Sequence, residues 1–379
     1  MKDICAIRDA LKEWSKEVDV LPAAGGAQED LLHPDPEEQE ERSYTDERIF
    51  DTVFERSIEG EWWRTEIFRP TTPILRSQKH LFRYFLDGSL RSYFLGTVLE
   101  GERSSPIHYA QIGACILFRH DAGTVGTELL TTRQFVFVNR KSISDKAWSH
   151  LENVIGKTNA LLEDLAAPDL FTRHYGDVDL RVRAGGKTRY KMRELEAEVM
   201  AQVLDKLNDE TWLIMDGSLM FQPILQTLQE RYVGRIPPVL GVSKNFRKDP
   251  QFVFGRGPRA QRFSIYSLLA QLKHEHRTAA FSAYGGQVVF WYVRLRPQGQ
   301  VDYPLMGVVK CELVTPNREP VSTELIDLLS QALVAERSVT PHGRDRRWHA
   351  HLYPIFLAEQ AIRNAFYSRE VVQQLMRWR

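Results

Sequence analysis

Carboxylates at the ends of hydrophobic strands are the first candidates for chemistry in this sequence. Asp87 follows Tyr84, Phe85 and Leu86 and precedes Gly88-Ser89; Asp216 follows Trp212-Leu213-Ile214-Met215 and precedes Gly217-Ser218. Asp-Gly is an ordinary turn dipeptide, so either copy alone reads as a turn. Two copies, each closing a strand, suggest a shared role. Between them, Met192, Val199, Met200, Val203 and Leu207 fall on one helical stripe, and Glu196 falls on it too. A carboxylate among core positions is costly unless it is paired or binds a cation. Asp87, Glu196 and Asp216 could therefore hold Mn²⁺ or Mg²⁺, hard cations that prefer carboxylate oxygen. Two such ions ~4 Å apart activate water and stabilise the charged transition state of phosphodiester hydrolysis. The competing reading of Glu196 is a boundary salt bridge to an arginine, and Glu194 and Glu198 read as a solvated face.

These groups must be held by strands and a crossing helix. Residues 82–87 read as a strand ending in a turn, Ser92 to Leu99 as a second strand and Tyr109 to Phe118 as a third, giving an antiparallel meander. Residues from about 119 to 189 read as an insertion with one helix at 143–166. A helix from Tyr190 to Asn208, a buried strand ending at Asp216, a helix at about 220–231 and a strand Pro238 to Val242 follow. The last two strands are expected to be parallel, as right-handed βαβ units are. Strands at Val288–Leu295 and Leu305–Leu313 should pair antiparallel, and helices at 321–336, 354–367 and 368–377 close the chain. The order β-β-β-insertion-α-β-α-β predicts an α/β fold: an RNase H-like mixed sheet flanked by helices, with a helical insertion and an N-terminal extension. A dinucleotide-binding domain would open with a glycine-rich phosphate loop, and no convincing one is present. Gly186-Lys187-Thr188 and Gly255-Arg256-Gly257 read as turns.

The chain has 379 residues, 43% hydrophobic and 26% charged, enough apolar material for a sizeable core. Residues 1–47 read as an amphipathic helix followed by an acidic flexible arm, and 48–379 as one domain with its core strands from about residue 80. There is no long apolar run to span a membrane and no signal-like start. Cys5, Cys115 and Cys311 lie far apart, which points to a reducing, cytoplasmic setting without a zinc site. Lys+Arg and Asp+Glu balance at 50 each. That balance argues against an autonomous, tight duplex binder, because phosphate neutralisation drives such affinity.

The strand with Asp87-Gly88-Ser89 and its meander, the helix with Glu196, the segment Trp212–Ser218, Gly241-Val242-Ser243-Lys244 and Tyr353-Pro354-Ile355-Phe356-Leu357 together resemble the NurA family of nucleases, over roughly residues 45–379. The resemblance implies an RNase H/Piwi-like fold, a homodimer, and Mn²⁺- or Mg²⁺-dependent cleavage of DNA. It also implies a partner, a HerA-type hexameric DNA-translocating ATPase, in DNA end processing or anti-phage defence. Carried over by residue, Asp87, Glu196 and Asp216 match the family's metal ligands and Tyr353 its C-terminal tyrosine. The family places a histidine on the last core helix, whereas here Leu357 to Ile362 contains none. Glu359, Gln360, His349 or His351 could stand in. A catalytically silent adaptor of the ATPase, or a module acting on RNA, are the alternatives.

Basic residues near these elements are candidate DNA contacts. Lys244 and Arg247 follow a core strand end, where a phosphate contact would fit. The densest basic segment, Arg181 to Arg193, includes Arg189 and Arg193 and otherwise reads as a solvated hairpin. Trp62 and Trp63 could stack bases, or pack in a core. His274-Glu275-His276 reads as a helical segment whose histidines point apart.

Overall fold

The computed structural model describes residues 2–29, 49–50, 53–74, 80–166, 180–246, 251–254, 261–297, 305–337 and 350–377. The acidic arm, Arg247, Lys248, Gly255-Arg256-Gly257 and His349 lie outside them. Among the described residues, no helix is long and apolar enough to cross a membrane.

Three long strands form the centre: β1 (Phe82–Glu100), β2 (Arg103–Arg119) and β3 (Val125–Val138), each antiparallel to the next. β4 (Ala160–Asp164) adds in parallel outside β3. On the other side of β1 lie β5 (Trp212–Asp216), β6 (Val239–Ser243), β8 (Val308–Val314) and β7 (Val288–Arg294). β5 runs parallel to both β1 and β6, as the βαβ expectation required, and β7 pairs antiparallel with β8. The order β3-β2-β1-β5-β6 is the five-stranded arrangement of an RNase H-like core.

Each helix covers a face whose residues alternate inward along the strands. Helices α3 (Leu180–Ala201), α4 (Gln222–Arg231) and α5 (Ile265–Gln271) share a core with Tyr84, Leu86, Ile112, Leu213 and Met215. Helices α6 (Thr323–Glu336) and α7 (Tyr353–Ala365) share the opposite core with Phe85, Cys115, Ile214 and Val242. A buried Arg119–Glu336 pair, with N–O distances of 2.5 and 2.6 Å, ties α6 to β2. At the far end of the long strands, α1 (Lys2–Trp14), α2 (Asp145–Ile155) and α8 (Arg369–Leu375) pack around Tyr93 and Tyr109. Asp19–Pro22 and Gln28–Glu29 pair with β1, so this part of the N-terminal extension joins the main sheet.

Four expectations need correcting. Asp87-Gly88-Ser89 is not a turn: β1 runs through it, pairing Asp87 with Cys115, Gly88 with Ala114 and Ser89 with Gly113. The expected first and second strands are therefore one strand, and the ladder with β2 overrides the local turn preference of Asp-Gly. The third strand of the meander is β3, inside the expected insertion, whose helix shortens to α2 before β4. The helix expected from Tyr190 begins at Leu180, so the basic run and Gly186-Lys187-Thr188 are helical. Finally, His276 opens a short strand rather than lying on a helix, and its Nδ1 is 2.9 Å from the His274 carbonyl.

Candidate functional site

β1 and β5 bring two carboxylates together by register. Ile214 lies beside Phe85 and Met215 beside Leu86, so the next residues, Asp216 and Asp87, are neighbours across parallel strands. Adjacent strands lie about 4.8 Å apart. Side-chain alternation sends Leu86 and Met215 to the α3 face, and therefore Asp87 and Asp216 to the α7 face. Asp87 is 6% exposed and takes one hydrogen bond, 2.8 Å, from the Gly88 amide. Burial pushes its carboxyl well above the ordinary range, the charges of Asp216, Glu359 and Glu196 push it further, and the nearby Lys244 ammonium opposes them. Lys244, one residue past β6, reaches Asp216 Oδ2 at 2.8 Å.

Glu359 joins this face from α7. The turns of that helix bury Ile355, Ala358 and Ile362 against the sheet, and Glu359 stands beside that stripe, bonded to Arg363 at 2.6 Å. It is one of the four residues offered by the sequence in place of a histidine, and its charge adds to the rise of Asp87. Tyr353 is the first residue of α7 and is 48% exposed. Glu359 lies six positions further along the helix, about 9 Å along the axis.

Glu196 approaches from the other side of the sheet. It sits on α3, 2% exposed, against Gly88, where a Cβ would collide with its carboxylate. Gly88 is thus required by close approach of the helix rather than by a turn. After Asp216 the chain leaves the strand at Gly217, which has φ 100° and still bridges to Val242, and it bends at Leu219. Arg193, one helical turn from Glu196, bonds its Oε2 at 2.5 Å and also donates to the Ser218 carbonyl. Burial pushes Glu196 up to about 6, with Asp216 adding to the rise and Arg193 and Arg189 opposing it. The salt-bridge reading of Glu196 is therefore observed.

The three sequence-derived carboxylates thus share one electrostatic field but divide across β1. Asp87 and Asp216 lie with Glu359 and Lys244 on one face, and Glu196 with Arg193 on the other. Among the described residues, no group of three or more His, Cys, Asp or Glu side chains is gathered so as to hold a metal ion. The carboxylate oxygens of Asp87, Asp216 and Glu359 are the kind of donor that suits a hard divalent cation. Cys115 is no nucleophile, since burial and the neighbouring Asp87 push its thiol up to about 12.

The basic run on α3 is largely engaged within the fold. Arg181 stacks 4.4 Å over Phe94, Arg183 bonds the Leu165 carbonyl, Lys187 bonds the Asp164 carbonyl at 2.7 Å, and Lys191 pairs with Glu163 and Glu194. Trp62 is partly buried and packs against the core, its Nε1 donating to Glu55 at 3.0 Å. Two charged residues escaped the sequence reading. Lys310 and Glu312 interrupt the apolar run Val308–Val314, every residue of which is buried; such an interruption in a fully buried strand is the signal that could have found them.

No protein-family model matches this chain, and no curated protein matches it. Among solved structures it is similar to Marinitoga piezophila Argonaute in complex with a 5′ OH guide RNA and target DNA, at 10% sequence identity and a TM-score of 0.28. That likeness covers 77% of this chain and 30% of the other. The strand order, and not this likeness, makes the fold RNase H-like.

Proposed function

We propose that this chain is a divalent-cation-dependent nuclease that hydrolyses phosphodiester bonds in DNA. The observation that carries the reading is the pairing of Asp87 and Asp216 on adjacent parallel strands of an RNase H-like sheet, with Asp216 raising the cost of ionising the buried Asp87. Carboxylates forced together in a buried site are suited to a doubly charged cation. Mn²⁺ or Mg²⁺ would be held by Asp87 and Asp216, with Glu359 on the same face and Glu196 acting through the sheet from the α3 side. The bound cation supplies an activated water and charge stabilisation at the scissile phosphate. Lys244, paired with Asp216, would contact a phosphate oxygen of the bound strand. Tyr353 is the remaining catalytic candidate, and Arg189, Arg193 and Arg247 are the remaining candidates for DNA contacts.

The resemblance to NurA nucleases extends this reading to a homodimer working in the cytoplasm with a HerA-type hexameric ATPase, in end processing or antiviral defence. A second reading, a silent adaptor of such an ATPase, is favoured by one specific observation: Lys244 and Arg193 already balance Asp216 and Glu196 with protein cations. Incubating labelled single- and double-stranded DNA and RNA with Mn²⁺, and again with EDTA, separates the two. Cation-dependent cleavage that falls roughly 10²-fold or more in Asp216→Ala supports the enzyme. Full activity in that variant would refute the site.

A further inference from the structure

Glu312 lies in the middle of β8 and is fully buried. Its Oε2 accepts two hydrogen bonds from the segment after Asp216, one from Ser218 Oγ at 2.8 Å and one from the Leu219 amide at 2.7 Å. Its other oxygen lies 2.8 Å from Lys310 Nζ, which in turn sits 4.9 Å over the Phe290 ring. Ser218 Oγ also accepts from the Met220 amide at 3.1 Å. The Ser218 carbonyl takes a bond from Arg193, whose other nitrogen holds Glu196. A continuous line of polar contacts thus runs from β8, through the 217–219 segment, to α3.

We propose that Glu312 is a positioning residue: by fixing the 217–219 segment it sets where Asp216 and the Arg193–Glu196 pair stand. This rests on the nuclease reading above. A buried ion pair is poor evidence of stabilisation, since apolar replacements of similar volume are often neutral or stabilising. Glu312 is also not needed for the strand pairing of β8, whose other buried residues are apolar apart from Lys310. What a leucine could not supply is an acceptor for two donors in the segment that directly follows Asp216. Positional errors of about 1 Å at such a group are enough to cost a large part of the rate.

The experiment compares two double variants that both remove the ion pair. Lys310→Met with Glu312→Leu removes the acceptor; Lys310→Met with Glu312→Gln keeps an oxygen for Ser218 and Leu219. Thermal midpoints establish folding, and kcat and KM are measured on labelled single-stranded DNA with Mn²⁺. The leucine variant is expected to lose roughly tenfold or more in kcat with KM little changed, and the glutamine variant to stay within a few-fold of the parent. Equal rates in two folded variants would overturn the proposal. If either double variant fails to fold, Ser218→Ala carries the test, because it removes the hydroxyl's bond to Glu312, along with the one from Met220, and no charge; an unchanged kcat there overturns the proposal. If the parent itself cleaves nothing, the nuclease reading fails separately. Hydrogen exchange at the Leu219 amide then reports whether Glu312 holds the segment: faster exchange in the leucine variant supports it, and unchanged exchange overturns it.

Discussion

Ionising Asp87 places a negative charge under α7, beside Asp216 and Glu359, with Lys244 as the nearby compensation. Its carboxyl is raised in the fold above its ordinary value, so the folded state binds more protons than the unfolded chain once pH exceeds that value. Stability therefore falls as pH rises from the unfolded pKa to the folded one, and the cost is complete above the latter. Glu196, pushed up to about 6 from 4.5, adds a loss of about 2 kcal/mol between those values. Asp87→Asn removes the ionisation at its position. It should raise the thermal midpoint at pH 8, with the advantage shrinking towards pH 4, while cleavage is lost. Mn²⁺ should raise the midpoint of the parent and leave that of the variant largely unmoved, because a ligand stabilises only the state that binds it. Calorimetry across pH, with and without the cation, checks both statements. A variant less stable than the parent at pH 8 would show that Lys244 overcompensates the charge.

At the scale of elements, α3 can bring Glu196 to the sheet only because β1 carries no side chain at Gly88. Gly88→Ala should cost about 1–3 kcal/mol, the usual range for overpacking a core, although alanine is the better residue in a strand interior. In an Glu196→Ala background the collision partner is gone, and the same change should cost nothing or stabilise. Denaturant unfolding of the four proteins measures that coupling, and additive effects would mean that the helix and the strand do not meet there. The same contact shows how far the sequence was legible. The expected apolar stripe put Glu196 among buried positions, although its last members, Val203 and Leu207, lie beyond the end of α3, and the hydrophobic runs located β5, β6, β7 and β8 within a few residues. What local pattern could not show was the continuation of β1 through Asp87-Gly88-Ser89, because the ladder with β2 and the seat for Glu196 are long-range features. For the same reason the alternation that separates Asp87 from Glu196 across the sheet became visible only once the strand was known to be unbroken. Lys310 and Glu312 were legible in principle as charges inside an apolar strand, but their partner, the 217–219 segment, was not.

For the whole molecule, the balance of 50 basic and 50 acidic residues acquires a structural meaning. The segment richest in positive charge, on α3, spends its cations on an aromatic ring, on carbonyls and on Glu163, Glu194 and Glu196. Cations already paired in this way release few counterions when DNA arrives, and counterion release supplies most sequence-independent affinity. The isolated protein should therefore bind long duplex DNA only weakly at physiological salt, with Kd no tighter than about 1 μM and a shallow dependence on salt. Fluorescence anisotropy with labelled duplex between about 50 and 200 mM salt measures both quantities. If a DNA-translocating ATPase delivers the strand, adding it should increase the rate of cleavage far more than it increases binding by the nuclease alone, since the motor raises the local concentration of substrate at the site. Tight and steeply salt-dependent binding by the isolated chain would instead mean that it finds DNA unaided, and would remove the physical reason for a threading partner.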